Sequence, residues 1–119
     1  MRLIIAGSRD VTPNLYTLDD YAVSAEAAWG EITTILVGGA RGTDQIAETW
    51  ARDVGLHVEV HPADWTRHGR SAGPRRNREM ARQADALLAF WDQKSRGTEN
   101  MIEQARRHGL QTRVVHLHP

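Results

Sequence analysis

No cysteine occurs among the 119 residues, so disulfide bonds, thiol nucleophiles and cysteine–zinc sites are excluded. Nor is there an excess of charge of either sign. Fifteen Lys and Arg balance fifteen Asp and Glu, and the net charge is zero. A balanced chain has no general attraction for nucleic acid or for an acidic membrane, so any basic surface has to be local. Aromatic residues are scarce, with four Trp, two Tyr and one Phe, and each is weighed singly below. Long apolar runs are missing as well. Leu3-Ile4-Ile5-Ala6 stops at Gly7, too short for a signal peptide or a membrane span, and a cytoplasmic location is expected. No linker, low-complexity segment or break in composition divides the chain, and 119 residues give room for one domain with one core.

What is present is an alternation of short apolar runs with helical patterns. Leu3 to Ala6 reads as a buried strand entering a loop. Leu15, Leu18, Tyr21, Ala22, Ala25 and Trp29 fall at helical spacing, with Thr12 as the expected N-cap and Pro13 at the first helical position. Thr33 to Val37 is a second strand. The helix after it carries Ile46, Ala47, Trp50, Ala51 and Val54 and is stopped by Gly55. Val58 to His61 is a third, short strand, and Pro62 to Gly73 reads as a loop. Pro74 suits the first turn of a helix bearing Met80, Ala81 and Ala84. Ala86 to Trp91 is a fourth strand. Gly97-Thr98 opens a last helix with Met101, Ile102 and Ala105 inward, Gly109 ends it, and Arg113 to Leu117 is a fifth strand. Strands alternating with helices imply an α/β fold: a Rossmann-like sandwich on a five-stranded parallel sheet, expected in the order 3-2-1-4-5.

Parallel sheets place ligands beyond the carboxyl ends of their strands, near the switch in strand order. With the first strand central, three loops should converge there: Gly7-Ser8-Arg9-Asp10, Gly38-Gly39-Ala40-Arg41-Gly42-Thr43-Asp44 and Lys94-Ser95-Arg96-Gly97-Thr98-Glu99. The second and third share an Arg-Gly-Thr-acid turn just ahead of a helix. Glycine lets a backbone approach a phosphate, while the hydroxyl and the free helix N–H groups donate to its oxygens. The same residues also suit a tight turn with a Thr cap. Neither standard phosphate loop is present. No Lys follows Gly42, as a Walker loop requires, and Val37 stands where a dinucleotide fingerprint needs its first glycine. Glu59 lies about twenty residues further on, at the distance of a ribose-binding acid.

Gly73-Pro74-Arg75-Arg76-Asn77-Arg78 is expected to put three arginines in a first helical turn. The helix dipole disfavours cations there by roughly 0.3–1 kcal/mol each. A phosphate held bidentately would offset that cost, with Arg76 and Asn77 the foremost candidates. Pairing with Glu79 and Asp85 is the alternative. Trp65 and Trp91 stand in or beside loops where a base can stack, or serve as rim packing. Trp29 and Trp50 read as core. His116 and His118 share a face of the last strand without a nearby acid, so no metal is expected, nor any other cofactor. Ser8 lacks the Gly-x-Ser-x-Gly elbow of a hydrolase.

Taken in order, Gly7-Ser8-Arg9-Asp10, Gly38 to Asp44, Pro62-Ala63-Asp64-Trp65, Gly73-Pro74 with Arg76-Asn77, and Ser95-Arg96-Gly97-Thr98 resemble the YspA/YpsA-related branch of the SLOG superfamily, over nearly the whole chain. The resemblance implies a Rossmann-like fold, a nucleotide or nucleotide-derived ligand, and an occurrence in phages and near bacterial conflict systems. It also implies kinship with the cytokinin-activating phosphoribohydrolases and the DNA-processing protein A family. Those hydrolases carry Gly-Gly-x-Gly-Thr-x-x-Glu, and here Gly97 and Thr98 match while Met101 stands at the glutamate. Glu99 is displaced by two positions, about 200° around a helix, and does not substitute for it.

The ligand-binding residues expected are therefore Gly7, Ser8, Arg9, Gly38, Gly39, Arg41, Gly42, Thr43, Asp44, Trp65, Arg76, Asn77, Trp91, Ser95, Arg96, Gly97 and Thr98. Asp44, Asp64 and Asp92 are the candidate catalytic acids. The main expectation is a sensor or sequestering protein. Its rivals are an enzyme cleaving a nucleotide N-glycosidic bond and a single-stranded DNA binder, the latter disfavoured by the zero net charge. A homodimer is expected, through an apolar patch on the helix with Tyr16, Tyr21 and Trp29 or on the one around Met80, and no membrane partner.

Overall fold

The computed structural model describes residues 1–118. Strands β1 (Arg2–Gly7), β2 (Thr34–Val37), β3 (His57–Val60), β4 (Ala86–Trp91) and β5 (Gln111–His116) form one sheet in the order β3-β2-β1-β4-β5. Every pairing is parallel, as expected. Side chains alternate across β1 and its neighbours, and each set buries against a pair of helices. Leu3, Ile5, Ile35, Val37, Leu88 and Phe90 pack with Leu18 and Ala22 of α1 (Leu15–Trp29) and with Ala47, Trp50 and Ala51 of α2 (Thr43–Asp53). Ile4, Ala6, Leu36, Leu87 and Ala89 pack with Met80 and Ala81 of α4 (Ala72–Gln83) and with Met101, Ile102 and Ala105 of α5 (Arg96–Arg107). The result is the three-layer Rossmann-like arrangement. No helix among the described residues is long and apolar enough to cross a membrane.

Several boundaries differ from expectation. The cap of α1 is Asn14, not Thr12: Asn14 Oδ1 accepts from the amide of Thr17 at 2.8 Å, and Pro13 precedes the helix. Leu15 and Val54, at helix ends, are exposed rather than inward. Residues 62–73 are not a loop throughout. Asp64 caps the short helix α3 (Trp65–His68), accepting from the amide of Arg67, and a 3-10 turn at Gly69–Ser71 runs straight into α4. Helix α4 thus opens at Ala72, with Pro74 still inside its first turn, where a missing N–H costs nothing. Arg75, Arg76 and Arg78 consequently lie two residues deeper in the helix than expected, beyond the free N–H groups of its first turn, and the dipole gives no ground for a phosphate there. Helix α5 opens one residue early, at Arg96, because Ser95 is its cap. Strand β5 starts two residues early, at Gln111, which pairs with Ala86. Met80 is buried and supplies no surface patch, whereas Tyr16 is 86% exposed. Trp50 is core, with its indole N–H on Asp19 Oδ1 at 2.9 Å.

From the start of β1, Arg2 reaches across β2 to grip Glu59 of β3 with both terminal nitrogens, each at 2.8 Å. His61 Nε2 lies 3.2 Å from the same carboxylate. The guanidinium, with some help from His61 and against the opposing effect of burial, lowers Glu59 from 4.5 to about 2. A lowered carboxyl contributes stability above its unfolded value, and that contribution fades as pH falls toward 2. Glu59→Gln should therefore flatten the acid limb of a urea-midpoint profile between pH 5 and 2, with a loss of about 1 kcal/mol or less at neutral pH.

Candidate functional site

The loops after β1, β2 and β4 do converge, and Ser8 joins them. Its amide donates to Phe90 O at 3.1 Å. Its carbonyl accepts from the amide of Thr43 at 3.2 Å and from Thr43 Oγ1 at 2.8 Å. Its hydroxyl accepts from the amide of Asp92 at 3.1 Å. Ser8 and Thr43 are thus buried and occupied by one another. Their position at the ligand end of the sheet is a matter of holding loops together.

Four glycines in these loops meet different surroundings. A side chain on Gly7 would come within 2.6 Å of Phe90 O and Thr43 Cγ2. On Gly42 it would lie 2.5 to 2.8 Å from backbone atoms of Arg9, and Gly42 also has φ +78°. On Gly38 it would collide with the Arg76 guanidinium, with Asp44 Oδ2 at 3.0 Å. On Gly97 it would meet nothing within 4 Å. The two Arg-Gly-Thr-acid turns, alike in sequence, therefore differ in space. The one at Arg41 to Asp44 is packed against Arg9. The one at Arg96 to Glu99 is open.

Beyond the strand ends is a cavity of about 70 Å³ lined by Ala6, Gly7, Arg9, Gly38, Ala40, Asp44, Arg76, Asn77, Met80, Ser95, Gly97, Thr98 and Met101. Nine of the expected site residues meet there. Arg76 enters from α4, donating through Nη1 to the carbonyls of Gly38 and, at 3.2 Å, His61. Its Nε donates to Asn77 Oδ1 at 2.9 Å. Asn77 Nδ2 in turn donates to Gly97 O and to Asn100 Oδ1, each at 3.1 Å. The pair Arg76-Asn77 thus ties the end of β2 to the start of α5. Glu79 pairs with Arg82 instead, at 3.6 Å.

Asp44, the second residue of α2, is buried beside Gly38. Burial pushes its carboxyl above the ordinary value, and the Ala40 amide at 3.1 Å and the charge of Arg76 oppose that rise. Burial correspondingly lowers Arg76, against the opposing pull of Asp44. Arg9 lines the cavity as a second cation. At α5, Ser95 Oγ accepts from the amide of Thr98 at 3.4 Å, and Ser95 O accepts from the amide of Glu99 at 3.1 Å. The amides of Arg96 and Gly97 have no acceptor among the described residues. A helix start with free amides, an open glycine beside them and two nearby arginines can hold a compact anion.

The remaining candidates lie elsewhere. Arg41 points outward to Asp10 at 3.1 Å. Asp64 caps α3. Asp92, held low by the amides of Ser95 and Lys94, braces its own loop. Of the three candidate acids only Asp44 lines the cavity. Trp91 turns its indole N–H to Ser95 O at 3.0 Å and packs edge-to-face with His116, so it props the loop. Gly39 and Trp65 line a neighbouring cavity instead, and Arg96 lines neither of the two. Ala40 and Met80 went unforeseen. Met80 carried a usable signal, since it stands four residues after Arg76 on the same helical face.

A family model for the YspA, cpYpsA-related SLOG family matches residues 1–68, the stretch that carries the β1 and β2 loops, Asp64 and Trp65. The chain is also 41% identical over 116 residues to the Gene 61 protein of Mycobacterium phage D29, covering 92% of this chain and 91% of that one. No solved structure matches it. Loop order, sheet order and the family model agree, and the chain belongs to the YspA, cpYpsA-related SLOG family.

Proposed function

We infer that this protein binds a nucleotide or nucleotide-derived ligand with its phosphate at the start of α5, and that it acts as a sensor or sequestering protein. One observation carries the reading: Gly97, whose amide has no acceptor among the described residues, lines a cavity that Arg9 and Arg76 also line. Family membership supports a nucleotide-related ligand. The phage relative favours a role in phage or bacterial conflict. Met101, buried in the cavity wall at the position of the hydrolases' glutamate, favours holding over cleaving.

A thermal-shift panel of nucleotides tests this. A ligand at a hundred times its Kd adds about 2.7 kcal/mol to native stability. In Gly97→Ala the new methyl occupies open space, so the apoprotein should melt within about 0.5 kcal/mol of the parent. Its ligand shift should fall to about half or less, with affinity down about tenfold or more, as expected where a methyl displaces a phosphate oxygen. An unchanged shift in Gly97→Ala would move the phosphate elsewhere.

A second reading rests on Asp44, the one candidate acid that lines the cavity, where burial pushes its carboxyl above the ordinary value. An acid at that place can serve N-glycosidic cleavage by exchanging a proton with the leaving base or the attacking water. Incubation with nucleoside monophosphates separates the two. The binding reading gives no free base. Base release that vanishes in Asp44→Asn with binding retained would establish the enzyme.

A further inference from the structure

Next to the small cavity lies a larger one, of about 260 Å³, and both are lined by Arg9, Gly38, Ala40 and Arg76. Arg76 is thus a partition with a cavity on each side. The small side holds Gly97, with its open amide, and Asp44. The large side has Gly39, Pro62, Ala63 and Trp65 and no acid.

Trp65 is 53% exposed, yet it is not loosely placed. It is the first residue of α3, and Asp64 caps that turn. Gly73 makes room for the indole: a side chain there would come within 3.2 Å of Trp65 Cη2. A large aromatic seated on a glycine and left half bare beside two arginines is a surface prepared for a planar group.

The geometry points to a two-compartment site for a nucleoside 5′-monophosphate. The phosphate sits at Gly97 in the small cavity, the ribose passes Arg76 within reach of Asp44, and the base stacks on Trp65 in the large cavity. This rests on the phosphate reading above and adds the polarity of the ligand and the residue that distinguishes it from a bare sugar phosphate. No carboxylate, amide or hydroxyl side chain lines the large cavity, so recognition is through the base's face and tolerates different bases.

The test compares AMP, GMP, CMP and UMP with ribose 5-phosphate by calorimetry on the full chain. The monophosphates should bind roughly tenfold or more tightly than ribose 5-phosphate. Trp65→Ala should remove that advantage and leave ribose 5-phosphate affinity unchanged, while Trp65→Phe, which keeps a ring and guards against a folding defect, should retain most of it. Tryptophan fluorescence should be quenched by AMP and not by ribose 5-phosphate, and Trp65→Phe should abolish the difference. Equal affinity for AMP and ribose 5-phosphate, or an AMP affinity indifferent to Trp65→Ala, overturns the base compartment and leaves the phosphate site standing. Failure of all five compounds to bind overturns both.

Discussion

Gly42→Ala should cost this protein about 2–6 kcal/mol, enough to threaten folding at growth temperature. Two independent penalties fall on one position. The backbone at φ +78°, ψ −125° lies in a region that residues with a side chain avoid, at about 1–3 kcal/mol. The methyl would also press into the Arg9 backbone at 2.5 to 2.8 Å. Overpacking of this kind costs about 1–3 kcal/mol, and a main chain tied down by Ser8 has little room to yield. Native domains are stable by only about 5–15 kcal/mol, so the thermal midpoint should fall by roughly 10 °C or more. Circular dichroism melts of Gly42→Ala beside Gly97→Ala give the sharpest contrast, since the two glycines occupy equivalent places in their motifs. Equal melting temperatures would refute the assignment of one turn to packing and the other to the ligand.

Arg76→Met should destabilise the apoprotein by about 2–3 kcal/mol at pH 7 and by clearly less at pH 4. The substitution keeps the aliphatic stem and removes the donors that hold Gly38 O, His61 O and Asn77 Oδ1. It also removes the positive charge that opposes the rise of the Asp44 carboxyl. The sign follows from linkage. A carboxyl raised in the folded state contributes fully below its unfolded value, near 3.8, and that contribution is lost as pH rises through the folded value. Without Arg76 the rise is greater, so the deficit against the parent should grow from pH 4 to pH 7. Denaturant midpoints at the two pH values measure it. Adding Asp44→Asn should recover part of the loss at pH 7, because no buried charge is then left without its counterion. A deficit independent of pH would mean that Arg76 acts through its hydrogen bonds alone.

The topology was legible because β1, β2 and β4 are short, apolar on both faces and stopped by polar or glycine-rich turns, as a sheet covered on both sides requires. Convergence of the three loops followed from strand order. The cap of α1 was harder: Thr12 and Asn14 are both good caps, and the local sequence hardly separates them. Residues 62–73 have no apolar periodicity, so the four-residue helix set by Asp64 left no pattern to find. The deeper limit concerned the two Arg-Gly-Thr-acid turns. Their difference comes from Arg9, remote in sequence, whose backbone lies against Gly42 and has no counterpart at Gly97. Identical local chemistry acquires opposite duties only through such long-range neighbours. The same holds for Ser8 and Thr43, read as ligand donors and found bonded to each other.

The knot at Ser8 bears on how such a site can change its ligand over time. Gly7, Ser8, Gly42 and Thr43 lock the floor, and a substitution in any of them is felt first as a folding defect. The segment around Pro62 to Trp65 has no such cross-ties: the side-chain bond at its outer end is the Asp64 cap, within its own turn. Mutational drift in that segment can reshape the larger compartment without disturbing the sheet. Related chains should therefore keep the residues of the Ser8 knot and diverge most between Pro62 and Trp65, so that one wall of the larger cavity varies over a constant floor.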